Sequence, residues 1–278
     1  MMLAEHMGMC NGMRKAVKLA EETAEMYRGN GGVYMLGPIA HNPHVMAYFK
    51  EKGVVKVDSI DEIRAEAGTV IIRAHGVPDS VKKSAAERGM NVVDATCNLV
   101  LRSKDIAKML ENEKYKVVIY GEKKHPEIIG IAGNLADPLI IEDLDQARSL
   151  SLYKTMGLIA QTTSMPEKYA EIQKELRAHC ECLRIEDTIC MATQNRQDSG
   201  RKTAERAELM LVVGDASSSN SMNLLKACKE VNEYTFMVSD ASGLKPNYFK
   251  GIKKIGLTAS ASSPEWVING IVNALRGM

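Results

Sequence analysis

The strongest constraint on this chain is an alternation. Ten short, β-branched runs recur along it: "GGVYMLG", "AGTVIIRAHG", "MNVVDAT", "YKVVIYG", "DPLIIEDL", "MGLIAQTT", "CLRIEDTI", "LMLVVGD", "YTFMVSD" and "IKKIGLTAS". Each is followed closely by Gly, Asp, Thr or His. Between them lie amphipathic helical patterns such as "RKAVKLAEETAEMYR", "PHVMAYFKEKG", "LRSKDIAKMLEN", "PEKYAEIQKELRAH", "GRKTAERAE", "SMNLLKACKEV" and "PEWVINGIVNALR". Strands alternating with helices predict βαβ units and mainly parallel sheets. In such sheets the ligand-binding residues sit beyond the carboxyl ends of the strands.

Those positions are rich in chemistry here: Cys97, Cys190, His41, His75, His125, Thr162, Thr163, Ser218, Ser219, Asn220 and Ser262. Asp94-Ala-Thr-Cys97 is echoed by Asp187-Thr-Ile-Cys190, each where a β-rich run ends and a helix begins. Cys10, Cys97 and Cys190 follow one another at intervals of 87 and 93 residues, close to the length of a small α/β unit. The expected organisation is three similar units, 12–96, 97–189 and 190–278, with 1–11 contributing Cys10.

Composition narrows the partners. A chain of 278 residues with 45% hydrophobic residues can bury a full core. Thirty-six Lys and Arg balance thirty-five Asp and Glu, so no global field draws the chain to nucleic acid or lipid, and any anion site must be built locally. Aromatic residues reach only 5%, against a base-stacking surface. No run approaches the roughly 20 apolar residues of a membrane span, and the N-terminus lacks a basic segment followed by an apolar run, so a cytoplasmic location is expected.

Six cysteines without a secretion signal do not read as a disulfide framework, and metal ligation or redox chemistry takes its place. Three thiolates from separate units could converge on one point. Structural zinc prefers four ligands drawn from CxxC pairs, and no such pair occurs. An iron–sulfur cluster on three thiolates would leave one iron open to substrate. The competing reading, that each Cys is a small buried hydrophobe, suits a lone residue; the repeated Asp-x-x-Cys context favours ligation for Cys97 and Cys190. Cys228 lies on the apolar face of "NLLKACKEV" and is expected to pack. Cys180 and Cys182, at the entrance to a strand, are expected to place at most one thiol in the interior. His6 and His179 carry no assignment.

His41 and His44 in "GPIAHNPHV", His75 in "IIRAHGVP" and His125 in "GEKKHPEIIG" stand beside Gly, Pro or Asn, where tight turns bring side chains toward a ligand. With "SSSNS" at 217–221 opening a helix, they form the makings of a cup for a polyanion. Taken alone, "SSSNS" reads first as an ordinary N-cap, and Ser262 or Ser263 could likewise cap the helix beginning at Pro264. Glu127, two residues after His125, is either a surface residue of a helix's first turn or a desolvated proton donor.

The chain resembles the hydroxymethylbutenyl diphosphate reductase family, which supplies the last step of the methylerythritol phosphate route to isoprenoid precursors. Nine motifs carry the resemblance in order: "GMCNGMRKAV", "GPIAHNPHV", "IIRAHGVP", "DATCNLV", "HPEIIGI", "QTT", "DTICMATQNRQ", "VVGDASSSNS" and "TASASSPEWVI". The resemblance implies a trefoil of three α/β units around a 4Fe-4S cluster held by Cys10, Cys97 and Cys190. It implies a diphosphate pocket from His41, His75, His125, Ser218, Ser219, Asn220 and Ser262. It further implies that Thr162 orients the substrate's allylic hydroxyl, that Glu127 protonates it, and that electrons arrive singly from ferredoxin or flavodoxin. A local basic patch on a neutral protein can dock such acidic carriers transiently.

The chain departs from the family pattern at Met9, Asn11, Asn98, Ser217 and Ser260. Asn11 and Asn98 beside two thiolates are expected to add hydrogen bonds to sulfur and raise the reduction potential. These departures leave open a divergent member with another cluster or another small reducible substrate. A redox sensor using the same cluster would not need Glu127. A nucleotide-binding α/β protein would need a Gly-rich phosphate loop after an early strand, whereas "GNGGVY" precedes one and reads as a turn.

Overall fold

The computed structural model describes residues 1–29, 31–64 and 68–277. Asn30 of the "GNGGVY" turn, Ala67 at the head of "AGTVIIRAHG", and Met278 at the end of the expected third unit lie outside them.

The chain runs β1 (Met2–Leu3), α1 (Asn11–Met26), β2 (Val33–Leu36), α2 (Pro43–Glu51), β3 (Val54–Val57), β4 (Thr69–Ile72), α3 (Asp79–Glu87) and β5 (Asn91–Asp94). It continues through α4 (Asn98–Asn112), β6 (Lys116–Tyr120), α5 (Pro126–Ala132), β7 (Leu139–Ile141), α6 (Leu144–Arg148), β8 (Tyr153–Ala160), α7 (Pro166–Leu176) and β9 (Cys180–Ile185). Then follow α8 (Met191–Glu205), β10 (Leu209–Val213), α9 (Ser219–Lys229), β11 (Thr235–Val238), β12 (Ile255–Ala259) and α10 (Glu265–Arg276).

The twelve strands form three four-stranded sheets, ordered β1-β12-β10-β11, β3-β2-β4-β5 and β7-β6-β8-β9. Every strand pairing among the described residues is parallel. Parallel neighbours cannot be joined by a tight turn, so each needs a crossover, usually helical. This is why the β-branched runs alternate with amphipathic stretches. The inner strands β4 and β10 are buried along their whole length, and their sequences "TVII" and "LMLVV" are accordingly apolar but for Thr69.

The chain divides into two compact units. One comprises Met1–Arg14, Ala40–Tyr48 and Met191–Met278. Its sheet is β1-β12-β10-β11, so the N-terminal strand joins the C-terminal part of the chain, with Met2 opposite Gly256. One side of this sheet packs Leu209, Leu211, Val213, Leu257 and Ile271, all fully buried, and each such side chain contributes about 1.5–3 kcal/mol. The other unit comprises Lys15–Ile39 and Phe49–Cys190 and holds the remaining two sheets. Its cores form around Val70 and Ile72, around Val118 and Leu158, and around Ile119, Ile128 and Ile131. Within it, α5 packs so closely on the loop after β4 that a Cβ on Gly130 would lie 3.3 Å from the Gly76 backbone.

All ten expected runs contain strands. Beyond the expected elements stand β1 and β3, of two and four residues, and the helices α3, α5 and α6, of five to nine residues. Helix α8 begins nine residues before the expected "GRKTAERAE" stretch. The inward face of α8 is Thr193, Arg196, Gln197, Ser199, Gly200, Thr203 and Ala204, so apart from Ala204 the apolar periodicity that marks a buried helix face is absent.

Candidate active site

The strand ends deliver the predicted residues. In the larger unit, β4 is followed by His75, β5 by Cys97, β6 by His125, β8 by Thr162 and β9 by Cys190. In the other, β10 is followed by Ser218 and β12 by Ser262, while Cys10 leads into α1.

In the larger unit the best-defined group is Glu127. Pro126 occupies the first position of α5, His125 is its N-cap, and the His125 Nδ1 accepts the Glu127 N–H at 3.2 Å. This turns Glu127 inward, where it is 1% exposed. The sequence left it between a first-turn surface residue and a buried acid; it lies in a first turn and is buried. Thr162 donates its N–H to Oε1 and its hydroxyl to Oε2, both at 2.7 Å. Burial pushes the carboxyl up to about 7, against the opposing effect of the two Thr162 bonds. The rings of His75 and His125 meet edge to face, 5.1 Å between centroids.

The echoed cysteine sequences fold alike. Asp94 accepts the Thr96 N–H at 3.0 Å, and Asp187 accepts the Ile189 N–H at 3.3 Å. Each is a turn closed by an Asp side chain two residues back. The Cys97 N–H then donates to the Ala74 carbonyl beside His75, and the Cys190 N–H to the Thr162 carbonyl, at 2.9 and 2.8 Å. Burial pushes Asp94 up, but hydrogen bonds from Lys82 and Thr96 outweigh it and hold the carboxyl below its usual range.

Gln161 is a residue to which the sequence gave no role. Its amide oxygen accepts the Glu122 N–H and its nitrogen donates to Thr163, each at 2.9 Å, while its N–H donates to the Tyr120 carbonyl at 2.7 Å. It thereby ties the loop carrying His125 to the loop carrying Thr162. Arg73 was likewise overlooked. Its guanidinium lies over Gly37, whose φ is +71°. Burial lowers the Arg73 pKa, with Asp58 opposing.

In the smaller unit the Cys10 sulfur accepts the Met13 N–H at 3.3 Å, and Arg196 Nε holds the Gly8 carbonyl at 2.8 Å. Ser218 caps α9, its hydroxyl accepting the Ser221 N–H at 3.3 Å. Ser219 and Asn220 occupy the first turn, and the Asn220 amide nitrogen is buried without a partner. Ser262 and Ser263 cap no helix, contrary to the expectation: α10 begins after Pro264 without a side-chain cap. The Ser260 hydroxyl instead bonds those of Ser262 and Ser263 at 3.0 and 3.1 Å, and Ser263 donates to the Val213 carbonyl. His41 sits half-buried in the turn before α2.

The cysteine donor set suits a thiophilic metal group. Cys10, Cys97 and Cys190 are partly buried, and each immediately precedes a helix. No three His, Cys, Asp or Glu side chains among the described residues gather as a site for a single metal ion. Neither Asn11 nor Asn98 bonds a cysteine sulfur; both are exposed as the first residues of α1 and α4. Cys228 is fully buried and its thiol is pushed up to about 12 by burial, in keeping with packing. Cys180 packs partly against a core while Cys182 is exposed. The two-residue spacing gives them the same sheet face, so depth along the strand rather than face separates them.

Comparison with known proteins agrees along the whole chain. The family model described as LytB protein matches residues 1–276. A 4-hydroxy-3-methylbut-2-enyl diphosphate reductase of Aquifex aeolicus is 36% identical, covering 99% of this chain and 95% of its own length. One of Clostridioides difficile is also 36% identical and covers 99% of both. A solved structure of (E)-4-hydroxy-3-methyl-but-2-enyl diphosphate reductase, the terminal enzyme of the non-mevalonate pathway, superposes with a TM-score of 0.73 at 34% identity, covering 100% of this chain and 99% of that one. The structure of an E-1-hydroxy-2-methyl-but-2-enyl-4-diphosphate reductase from Plasmodium falciparum superposes with a TM-score of 0.92 at 26% identity, covering 99% of this chain and 87% of that one. With strand ends, cysteines and acid arranged in this way, and with relatives matching over nearly its full length, the chain belongs to the LytB protein family.

Proposed function

We propose that this chain is an iron–sulfur oxidoreductase that removes the allylic hydroxyl of 4-hydroxy-3-methylbut-2-enyl diphosphate, giving isopentenyl and dimethylallyl diphosphates. The names of its relatives supply the substrate. The observation that carries the reading within the chain is Glu127, a buried carboxyl with a pKa near neutrality. Breaking a C–O bond to an alcohol needs an acid, because hydroxide is a poor leaving group. The balance is one C–O bond broken, one C–H bond formed, two electrons and two protons consumed, and one water released.

Cys10, Cys97 and Cys190 are assigned as ligands of a 4Fe-4S cluster, which when bound supplies single electrons and a Lewis-acidic iron. Glu127 holds the proton destined for the departing oxygen, and Thr162 keeps the carboxyl in place and orients the hydroxyl. His41, Ser218, Ser219, Asn220 and Ser262 in one unit, and His75 and His125 in the other, are assigned to the diphosphate. The Ser218 region fits through the positive dipole end of α9, and Asn220 through its unsatisfied amide. Ferredoxin or flavodoxin is the assigned electron donor, and the cytoplasm the assigned compartment. Among the described residues no helix is long and apolar enough to cross a membrane. We assign three α/β units, one per sheet, at 12–96, 97–189 and 190–278.

The test is anaerobic turnover of the substrate with a chemical reductant, with iron and sulfide quantified on the same preparation. Conversion with about four irons per chain supports the assignment. A loaded cluster without conversion refutes the substrate and points to a divergent member acting on another small reducible molecule.

A further inference from the structure

His44 has no place in the chemistry above, yet it is tied more firmly than a surface histidine needs to be. The segment Ala40–Tyr48 belongs to the smaller unit. His41 stands near its start, in a tight turn closed by the Asn42 N–H on the Ala40 carbonyl at 2.8 Å. The Asn42 side-chain oxygen then accepts the His44 and Val45 N–H groups at 3.0 and 3.4 Å, which starts α2. These bonds fix the turn's shape internally and leave open what seats it against the sheet. Two side-chain contacts do this. The His44 Nε2 lies 3.1 Å from Asp240 Oδ2, with the two side chains 34% and 31% exposed, and the Tyr48 and Trp266 rings approach at 5.9 Å.

Asp240 is a rigid partner. It follows β11, and its other oxygen accepts the Ser242 N–H and hydroxyl at 2.7 and 2.6 Å. Ser242 chiefly, with a smaller contribution from His44, holds the carboxyl below its usual range. One carboxylate therefore joins the end of a strand to the turn bearing His41, and the His44 ring is the link.

We propose that His44 is a positioning residue: its bond to Asp240 seats the 40–45 turn on the β11 end and so fixes His41 for diphosphate binding. The inference rests on the assignment of His41 to the diphosphate. His44 touches no reacting atom, so its loss acts on binding rather than on the chemical step.

The test uses the iron-loaded enzyme and three chains, wild type, His44→Ala and His44→Gln, because a Gln amide can still donate to Asp240. The measurements are kcat and KM for the diphosphate substrate, inhibition by inorganic diphosphate, and hydrogen exchange of the peptide spanning 40–48. His44→Ala is expected to raise KM and the diphosphate inhibition constant by about tenfold while changing kcat by less than about twofold, for loss of a charged, partly exposed hydrogen bond. Exchange in 40–48 should accelerate, and His44→Gln should restore both readouts to within about threefold of wild type. An unchanged KM in His44→Ala, a fall in kcat alone, or failure of Gln to rescue would overturn the proposal. If the wild type itself does not turn over the substrate, the functional assignment fails; exchange that His44→Ala leaves unchanged then overturns the seating role independently.

Discussion

Thr162 holds Glu127 by both oxygens of its carboxyl, through one backbone and one hydroxyl donor at 2.7 Å each. Both carboxyl oxygens are thereby held by one residue. The Thr162 carbonyl also accepts the Cys190 N–H, so one residue anchors both the acid and a cysteine assigned as a cluster ligand. Such an arrangement fixes an acid while leaving its proton transferable.

Thr162→Val removes the hydroxyl donor and keeps the backbone one. That hydroxyl lowers the Glu127 pKa, so its loss should raise it further above about 7. With Glu127 as the proposed proton donor, activity is expected to require the protonated acid and to decline as pH rises through the Glu127 pKa. The variant's alkaline limb should therefore lie at higher pH than the wild type's, with a lower maximal rate because the acid is held less firmly. A limb shifted to lower pH would contradict this electrostatic picture.

Glu127 also makes stability pH-dependent. Its folded pKa, about 7, lies above its ordinary 4.5. The native state therefore binds the proton more tightly than the unfolded chain, and this stabilisation is complete below about pH 4.5 and is lost as pH rises through about 7. Glu127→Gln carries no charge; its amide oxygen can accept the Thr162 N–H, and its amide nitrogen can donate to the Thr162 hydroxyl oxygen. Relative to wild type it should gain about 3 kcal/mol of stability between pH 4 and pH 8, read from denaturant unfolding at several pH values. A difference that does not change with pH would show that folding does not raise the Glu127 pKa.

At Gly37 two costs are separable. A Cβ there would lie 1.9 Å from an Arg73 guanidinium nitrogen, and the +71° φ disfavours any other residue. Gly37→Ala should destabilise the protein by about 1–3 kcal/mol. Combining it with Arg73→Ala should relieve the steric share and leave the backbone share, so the two changes should be non-additive in denaturant unfolding. Additive effects would mean that the guanidinium does not occupy that space.

The parallel α/β sheets were legible because a buried strand needs a continuous apolar run and a parallel neighbour needs a helical crossover, both of which are written in local composition. The strand-end rule then pointed to Cys97, Cys190, His75 and Thr162. The fates of Ser262 and Ser263 were not legible: whether a serine caps the next helix or bonds Ser260 and Val213 depends on a strand some fifty residues away in sequence. Helix α8 was half-hidden because it buries Arg196 and Gln197, and Arg196 spends its guanidinium on the Gly8 carbonyl. His44 looked like one more turn histidine, since nothing near it in the chain reveals Asp240.

The account turns on Glu127 as the proton donor. The decisive measurement compares anaerobic conversion of 4-hydroxy-3-methylbut-2-enyl diphosphate by wild type and Glu127→Gln at equal iron and sulfide content, with both products separated and counted. Isopentenyl and dimethylallyl diphosphates are expected from the wild type, with a loss of about 10²–10⁴-fold in the variant, the share that general acid catalysis by Glu127 supplies. Conversion by Glu127→Gln at a rate close to wild type would contradict it.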